Sequence, residues 1–113
     1  MTDVGVATPV PSDAPGLVRR TVRPGTGNIA VEPAMTPVEA RSALDVGADV
    51  ATQAAAGGAR MLVTGDMGIG NTTASAAVIA AITGLPATAV PGRGAGADDA
   101  TLARETEGGE RAL

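Results

Sequence analysis

Phe, Tyr, Trp, Cys, His and Lys are all missing from this chain of 113 residues. Each absence excludes something. Aromatic side chains normally supply much of a core's buried area, and here the apolar content is instead dominated by Ala. Without His and Cys the usual transition-metal ligands are gone, so no metal centre and no cofactor is expected. The lack of Cys also leaves the redox compartment unmarked. All eight cationic side chains are Arg, the net charge is −4 and the pI is about 4.5. That balance argues against a nucleic-acid partner. No apolar run approaches membrane-spanning length, and no basic amphipathic stretch suggests a membrane surface. The opening Met1-Thr2-Asp3 is acidic and lacks the charged start of a signal peptide, which makes the cytoplasm the default location.

What is present centres on Gly65-Asp66-Met67-Gly68-Ile69-Gly70-Asn71-Thr72-Thr73. The stretch follows a short apolar run, Met61-Leu62-Val63, read as a buried strand, and it opens onto Ala74 to Thr83, read as a helix. A glycine-rich turn between strand and helix aims several backbone N–H groups at one spot, where the helix N-terminus adds partial positive charge. A phosphate is the expected occupant. Glycines keep Cβ atoms out of its way.

Two familiar phosphate motifs fail against this stretch. Gly65 and Gly70 have the spacing of a triphosphate-binding loop, and Thr72 could fill its hydroxyl position. Asn71, however, stands where the lysine clamp belongs. Gly68-Ile69-Gly70 begins a dinucleotide fingerprint, but Thr73 occupies the place of its third glycine.

In chain order, Val4 to Ala7 reads as the end of a strand. Thr8 to Met35 carries Pro9, Pro11, Pro15, Pro24 and Pro33 and reads as a long loop, which is usually functional or disordered. Thr36-Pro37-Val38-Glu39 is a helix start: a capping Thr, Pro at the first helical position, and Glu completing a capping box. Ala40, Ala43, Leu44, Gly47, Val50, Ala51 and Ala54 then share one face, and Gly57-Gly58 ends the helix. The helix from Ala74 is apolar nearly all round and should be buried. Ala87 to Pro91 reads as another short strand leading into a Gly92 to Gly96 turn, and Asp98 can cap a last helix. Alternating strands and helices predict an α/β, doubly wound, Rossmann-like parallel sheet. Ligands in such sheets collect at the carboxyl ends of strands, where the Gly65 turn lies.

GDMGIGNTT, the Ala-rich helix and Gly92-Arg93-Gly94-Ala95-Gly96-Ala97-Asp98-Asp99 together resemble the nicotinate-nucleotide–dimethylbenzimidazole phosphoribosyltransferase family. Gly25-Thr26-Gly27-Asn28-Ile29 and Pro33-Ala34-Met35-Thr36 match the same pattern in the right order. The resemblance runs from about Asp3 to Leu113. It implies transfer of phosphoribose from nicotinate mononucleotide to 5,6-dimethylbenzimidazole, giving α-ribazole phosphate and nicotinate on the way to the cobalamin lower ligand. Both substrates would be small-molecule partners.

The family's chains are several times longer, so residues 1–113 are expected to be a partial α/β domain. Residues 1–35 would be largely loop and 36–113 an α/β core segment. A homodimer or a complementing chain would supply the missing large side chains. Gly65, Asp66, Gly68, Gly70, Asn71, Thr72, Arg93 and Gly94 are the implied substrate-binding residues, with Gly25 to Asn28 as a site-lining turn. Asp66 stands where the family often has Glu, and is either an auxiliary carboxylate or a turn residue. Arg93 is either a phosphate ligand or a surface cation. Glu105 replaces an expected lysine, and Ala95 a threonine. The family's catalytic glutamate falls beyond Leu113, so no catalytic residue is assignable. The alternatives are a non-catalytic phosphate-binding module and a degraded fragment that does not fold.

Overall fold

Asp3 fixes how the chain begins. Its Oδ1 accepts hydrogen bonds from the backbone N–H groups of Gly5 and Val6, both at 3.0 Å, and the Thr21 hydroxyl donates to Oδ2 at 3.4 Å. These donors let the carboxylate be buried, at 7% exposure, because a buried charge needs hydrogen-bond partners. The computed structural model describes residues 1–8, 10–11, 13–86 and 89–90. Among them lie β1 (Thr2–Asp3), β2 (Val18–Arg19), α1 (Pro37–Ala56) and α2 (Asn71–Thr83).

The chain forms two units. The first joins Met1–Gly27 to Ala34–Val63 and contains β1, β2 and α1; the second joins Asn28–Pro33 to the chain from Thr64 onward and contains α2. In the first unit β1 and β2 pair in parallel, Thr2 beside Val18 and Asp3 beside Arg19. The pairing extends past the strands, with Val22 N–H bonded to Val4 O at 2.9 Å and Gly25 N–H to Gly5 O at 2.7 Å. A Cβ on Gly5 would stand 2.5 Å from Arg23 O, so only glycine permits this approach. The long proline-rich stretch is therefore partly strand, and the first strand sits nearer the N-terminus than Val4 to Ala7.

α1 begins as its sequence dictates. Glu39 N–H donates to Thr36 Oγ1 at 3.2 Å and Thr36 N–H donates to Glu39 Oε2 at 2.7 Å, a complete capping box with Pro37 at the first helical position. Gly57 closes the helix through its N–H to Gln53 O at 2.9 Å. Arg23 adds a 3.6 Å ion pair to Glu39. The covered stripe differs from the expected one: Glu39, Ala40, Ala43, Val46, Val50, Ala51 and Ala54 are half-buried, whereas Leu44 is 72% exposed. The covered stripe thus lies on the side of α1 that carries Glu39, the partner of Arg23.

Two expectations about burial are not met. Met61 to Val63 forms no strand, and Met61 and Val63 are 82% and 87% exposed. α2 forms, but only Ala80 is buried. The class is α/β with a small parallel sheet and two helices, while a doubly wound sheet is not present among the described residues. The physical reason is common to both. A strand apolar on both faces needs flanking strands and covering helices, and a helix apolar all round needs neighbours. The predicted strand 87–91, Gly92–Gly96 turn and last helix from Asp98 fall largely or wholly outside the described residues.

With so little apolar surface covered, the isolated chain is expected to unfold broadly, with a midpoint below roughly 65 °C, the upper end for mesophile domains. Differential scanning calorimetry checks this, and a sharp transition above that range contradicts it. Backbone donation from Val6 holds the Asp3 carboxyl below the ordinary carboxylate range, and backbone donation from Thr36 does the same for Glu39. Their folded-state pKa values lie below the unfolded ones. Their stabilisation is thus full at neutral pH and is lost as pH falls through the depressed values. Asp3→Ala, which strands two N–H groups, should lower the neutral-pH midpoint by several degrees and flatten the acid limb of a pH–stability curve.

Candidate anion-binding turn

Within the second unit, a backbone constraint builds the start of α2. Gly70 is the N-cap residue and adopts φ 72°, ψ 9°, in the left-handed region, and Gly68 has φ 84°. L-residues with a side chain reach this region only at a cost. The two glycines therefore make the chain double back between Asp66 and Asn71. Asp66 holds the near side of the turn: Gly68 N–H donates to its Oδ1 at 2.7 Å. Asn71 N–H reaches back to Gly68 O at 3.4 Å, a long bond.

Gly70 brings no side-chain cap to α2, and the first helical turn holds no acidic residue. The first N–H groups of any helix lack intrahelical partners. Here no side chain of the cap accepts from them, and nothing acidic in that turn offsets the positive end of the helix dipole. Among the described residues, a Cβ built on Gly65 or Gly70 meets nothing within 4 Å, and one on Gly68 reaches only Asp66 O at 4.0 Å. The described residues leave the space above the turn open to an anion.

Side chains complete the rim. Ser75 donates its hydroxyl to Asn71 Oδ1 at 2.9 Å, which orients the Asn71 amide so that its NH₂ group remains as a donor. Ser75 is one helical turn from Asn71, a spacing visible in the sequence that motif matching passed over. Thr72 and Thr73 are half-buried on the same first turn. A groove of about 360 Å³ runs from Asn71 along Ala74, Ser75, Val78 and Ile79.

The turn thus unites Gly65, Asp66, Gly68, Gly70, Asn71 and Thr72. Arg93 and Gly94 lie outside the described residues. Gly25 and Thr26 belong to the first unit, where they line a cavity of about 170 Å³ with Val4, Gly5, Val22, Arg23, Met35 and Ala43. One carboxylate oxygen of Asp66 holds the turn, through the Gly68 N–H. Asp3 is the buried carboxylate that sequence reasoning missed. Its signal was an acidic residue two and three positions before donors freed by Gly5, and its role is structural.

The sequence pattern of a family described as phosphoribosyltransferase matches residues 1–113. The nicotinate-nucleotide–dimethylbenzimidazole phosphoribosyltransferase of Thermus thermophilus is 55% identical over 111 residues, 98% of this chain and 33% of the relative. The enzyme of that name from Roseiflexus castenholzii is 51% identical over 113 residues, 100% of this chain and 32% of the relative. The crystal structure of CobT from Thermus thermophilus superposes with a TM-score of 0.90 at 54% identity, covering 97% of this chain and 33% of that one. The chain spans about a third of the length of the curated relatives it matches.

Gly70→Val places a β-branched residue at a left-handed position, a strain of roughly 1–2 kcal/mol, and sets a side chain beside the free N–H groups. Weak binding of inorganic phosphate by the wild type, followed by isothermal titration, is expected to vanish in this variant. Asp66→Asn, which keeps an acceptor for Gly68 N–H, should retain it. Equal phosphate binding by wild type and Gly70→Val contradicts the assignment.

Proposed function

Because the chain belongs to this phosphoribosyltransferase family, we propose that its Gly65–Thr73 turn holds the phosphate of nicotinate mononucleotide within an assembly that transfers phosphoribose to dimethylbenzimidazole. The observation that carries the reading is the uncapped start of α2 behind Gly70. Donors left free by the fold and facing open space suit a phosphate better than a neutral ligand.

The chemistry sets the division of labour. In the transfer, the bond between C1′ of the ribose and the nicotinate nitrogen breaks as a benzimidazole nitrogen bonds to C1′. Nicotinate leaves with the electron pair of the broken bond, and the benzimidazole N–H gives up its proton to a base. A turn that grips the phosphate contributes by positioning C1′ for attack. Gly65, Gly68, Gly70, Asn71 and Thr72 serve that purpose in this reading, with Arg93 and Gly94 as further phosphate contacts. Asp66 is an auxiliary carboxylate near the sugar, where positive charge develops, and not the base. No base is assigned to this chain, so the proton acceptor comes from elsewhere in the assembly.

The remaining proposals concern that assembly. We take Met61–Val63 to be a central strand of a doubly wound sheet whose other strands lie in polypeptide that this chain does not span. The partner is then a complementing chain or a second copy, with the two small molecules as substrates and without nucleic acid or membrane. No helix among the described residues is long and apolar enough to cross a membrane, and the cytoplasm is the proposed location.

Release of nicotinate from nicotinate mononucleotide and dimethylbenzimidazole, followed chromatographically, tests the reading. The chain alone should give no detectable release, since general base catalysis supplies about 10²–10⁴-fold and acceptor positioning is lost with it. Grafted in place of the matching third of the Thermus thermophilus relative, the 113 residues should support benzimidazole-dependent release. Gly70→Val in the graft should cost about 10²-fold through misplacement of the phosphate. A folded but inactive graft, or turnover by the chain alone that disappears in Asp66→Ala, contradicts the proposal.

A further inference from the structure

α2 carries no charged side chain between Asn71 and Thr83. Its exposed side presents Ala74, Val78, Ile79 and Ile82, with Val78 58% and Ile82 79% exposed. Positions 74, 78 and 82 stack at intervals of four along one side of the helix. Side chains of this kind rarely stay in water as a continuous row unless something docks on them. The groove along Asn71, Ala74, Ser75, Val78 and Ile79 gives the row a concave start.

We propose that this face of α2 is the docking surface for polypeptide of the family's own fold, equivalent to the two thirds of a relative's chain that this one does not span. The inference rests on the family reading above and adds the surface and its occupant. Two observations choose that occupant. The segment has the same conformation in the Thermus thermophilus chain, with a TM-score of 0.90, and that chain holds the segment as only 33% of its length. A relative therefore presents the same α2 face while carrying twice as much further polypeptide to place against it. The chemistry agrees: a face without charge or aromatic groups offers nothing to a nucleic acid or an anionic lipid surface, and it matches the Ala-rich or branched aliphatic face of another helix.

The missing cysteine makes the test direct, because Ile82→Cys becomes the only thiol in the chain. The variant is mixed with the Thermus thermophilus relative from which the matching third has been removed, and maleimide labelling is timed. Asp49→Cys, on the exposed polar side of α1, normalises for non-specific shielding. The expected result is a stoichiometric complex on size exclusion, with labelling of Ile82→Cys slowed about tenfold or more relative to the Asp49→Cys control. Unchanged labelling in a formed complex, or no complex with a folded remainder, overturns the proposal. Protection that grows with the chain's own concentration, without the remainder, overturns it in favour of a second copy. If the remainder does not fold alone, the graft described above is labelled instead, and a thiol at 82 as reactive as in the free chain has the same force. Because the readout is shielding and not turnover, a wrong catalytic reading leaves the result interpretable.

Discussion

The left-handed backbone at Gly70 is the constraint on which the candidate site depends. With φ at 72°, the residue turns the chain into α2 without a side chain to cap it, and the first N–H groups are left without a side-chain acceptor from the cap. Had Ser, Thr or Asp stood at that position, its own oxygen would have satisfied one of these donors, stabilising the helix by roughly 0.5–2 kcal/mol. The chain forgoes that stabilisation at the one helix start where an anion is expected. At α1 it does the opposite, filling the cap with Thr36, Pro37 and Glu39. Two helix starts in one short chain thus differ: one is capped by its own side chains and the other is not.

How much was legible in the sequence follows the range of the interactions involved. The start and end of α1 were readable because a capping box and a C-terminal glycine act within a few residues. The helix after the glycines was readable for the same reason, although it takes in Asn71 to Thr73, which had been read as part of the turn, and no strand precedes it. Pairing of β1 with β2 was hidden, since Thr2 meets Val18 across a proline-rich stretch and two-residue strands leave no periodic trace. Leu44 was misplaced because apolar spacing alone does not say which side of a helix is covered, and here it is the side that carries Glu39.

Met61 to Val63 and α2 mark the other boundary. Their composition is that of a protein interior, yet the described residues leave them in water. Composition reports the surroundings that a segment suits, and burial reports the surroundings it has. Here the two disagree, at Met61 to Val63 and again along α2. The proposed complementing polypeptide would resolve that disagreement, and the chain spans about a third of its relatives. On the proposed function, phosphate holding rests chiefly on the turn and the first turn of α2 and is separable from the covalent step, which needs a base and an acceptor pocket.

That separation can be measured at the phosphate itself. Amide chemical shifts of the isotope-labelled chain are followed while nicotinate mononucleotide is added, and again with the corresponding riboside, which lacks the phosphate. The account predicts saturable shifts at Thr72 and Thr73 with the mononucleotide and none with the riboside, in the chain alone and without any turnover. Equal shifts with both ligands, or shifts confined to residues away from the start of α2, would contradict it.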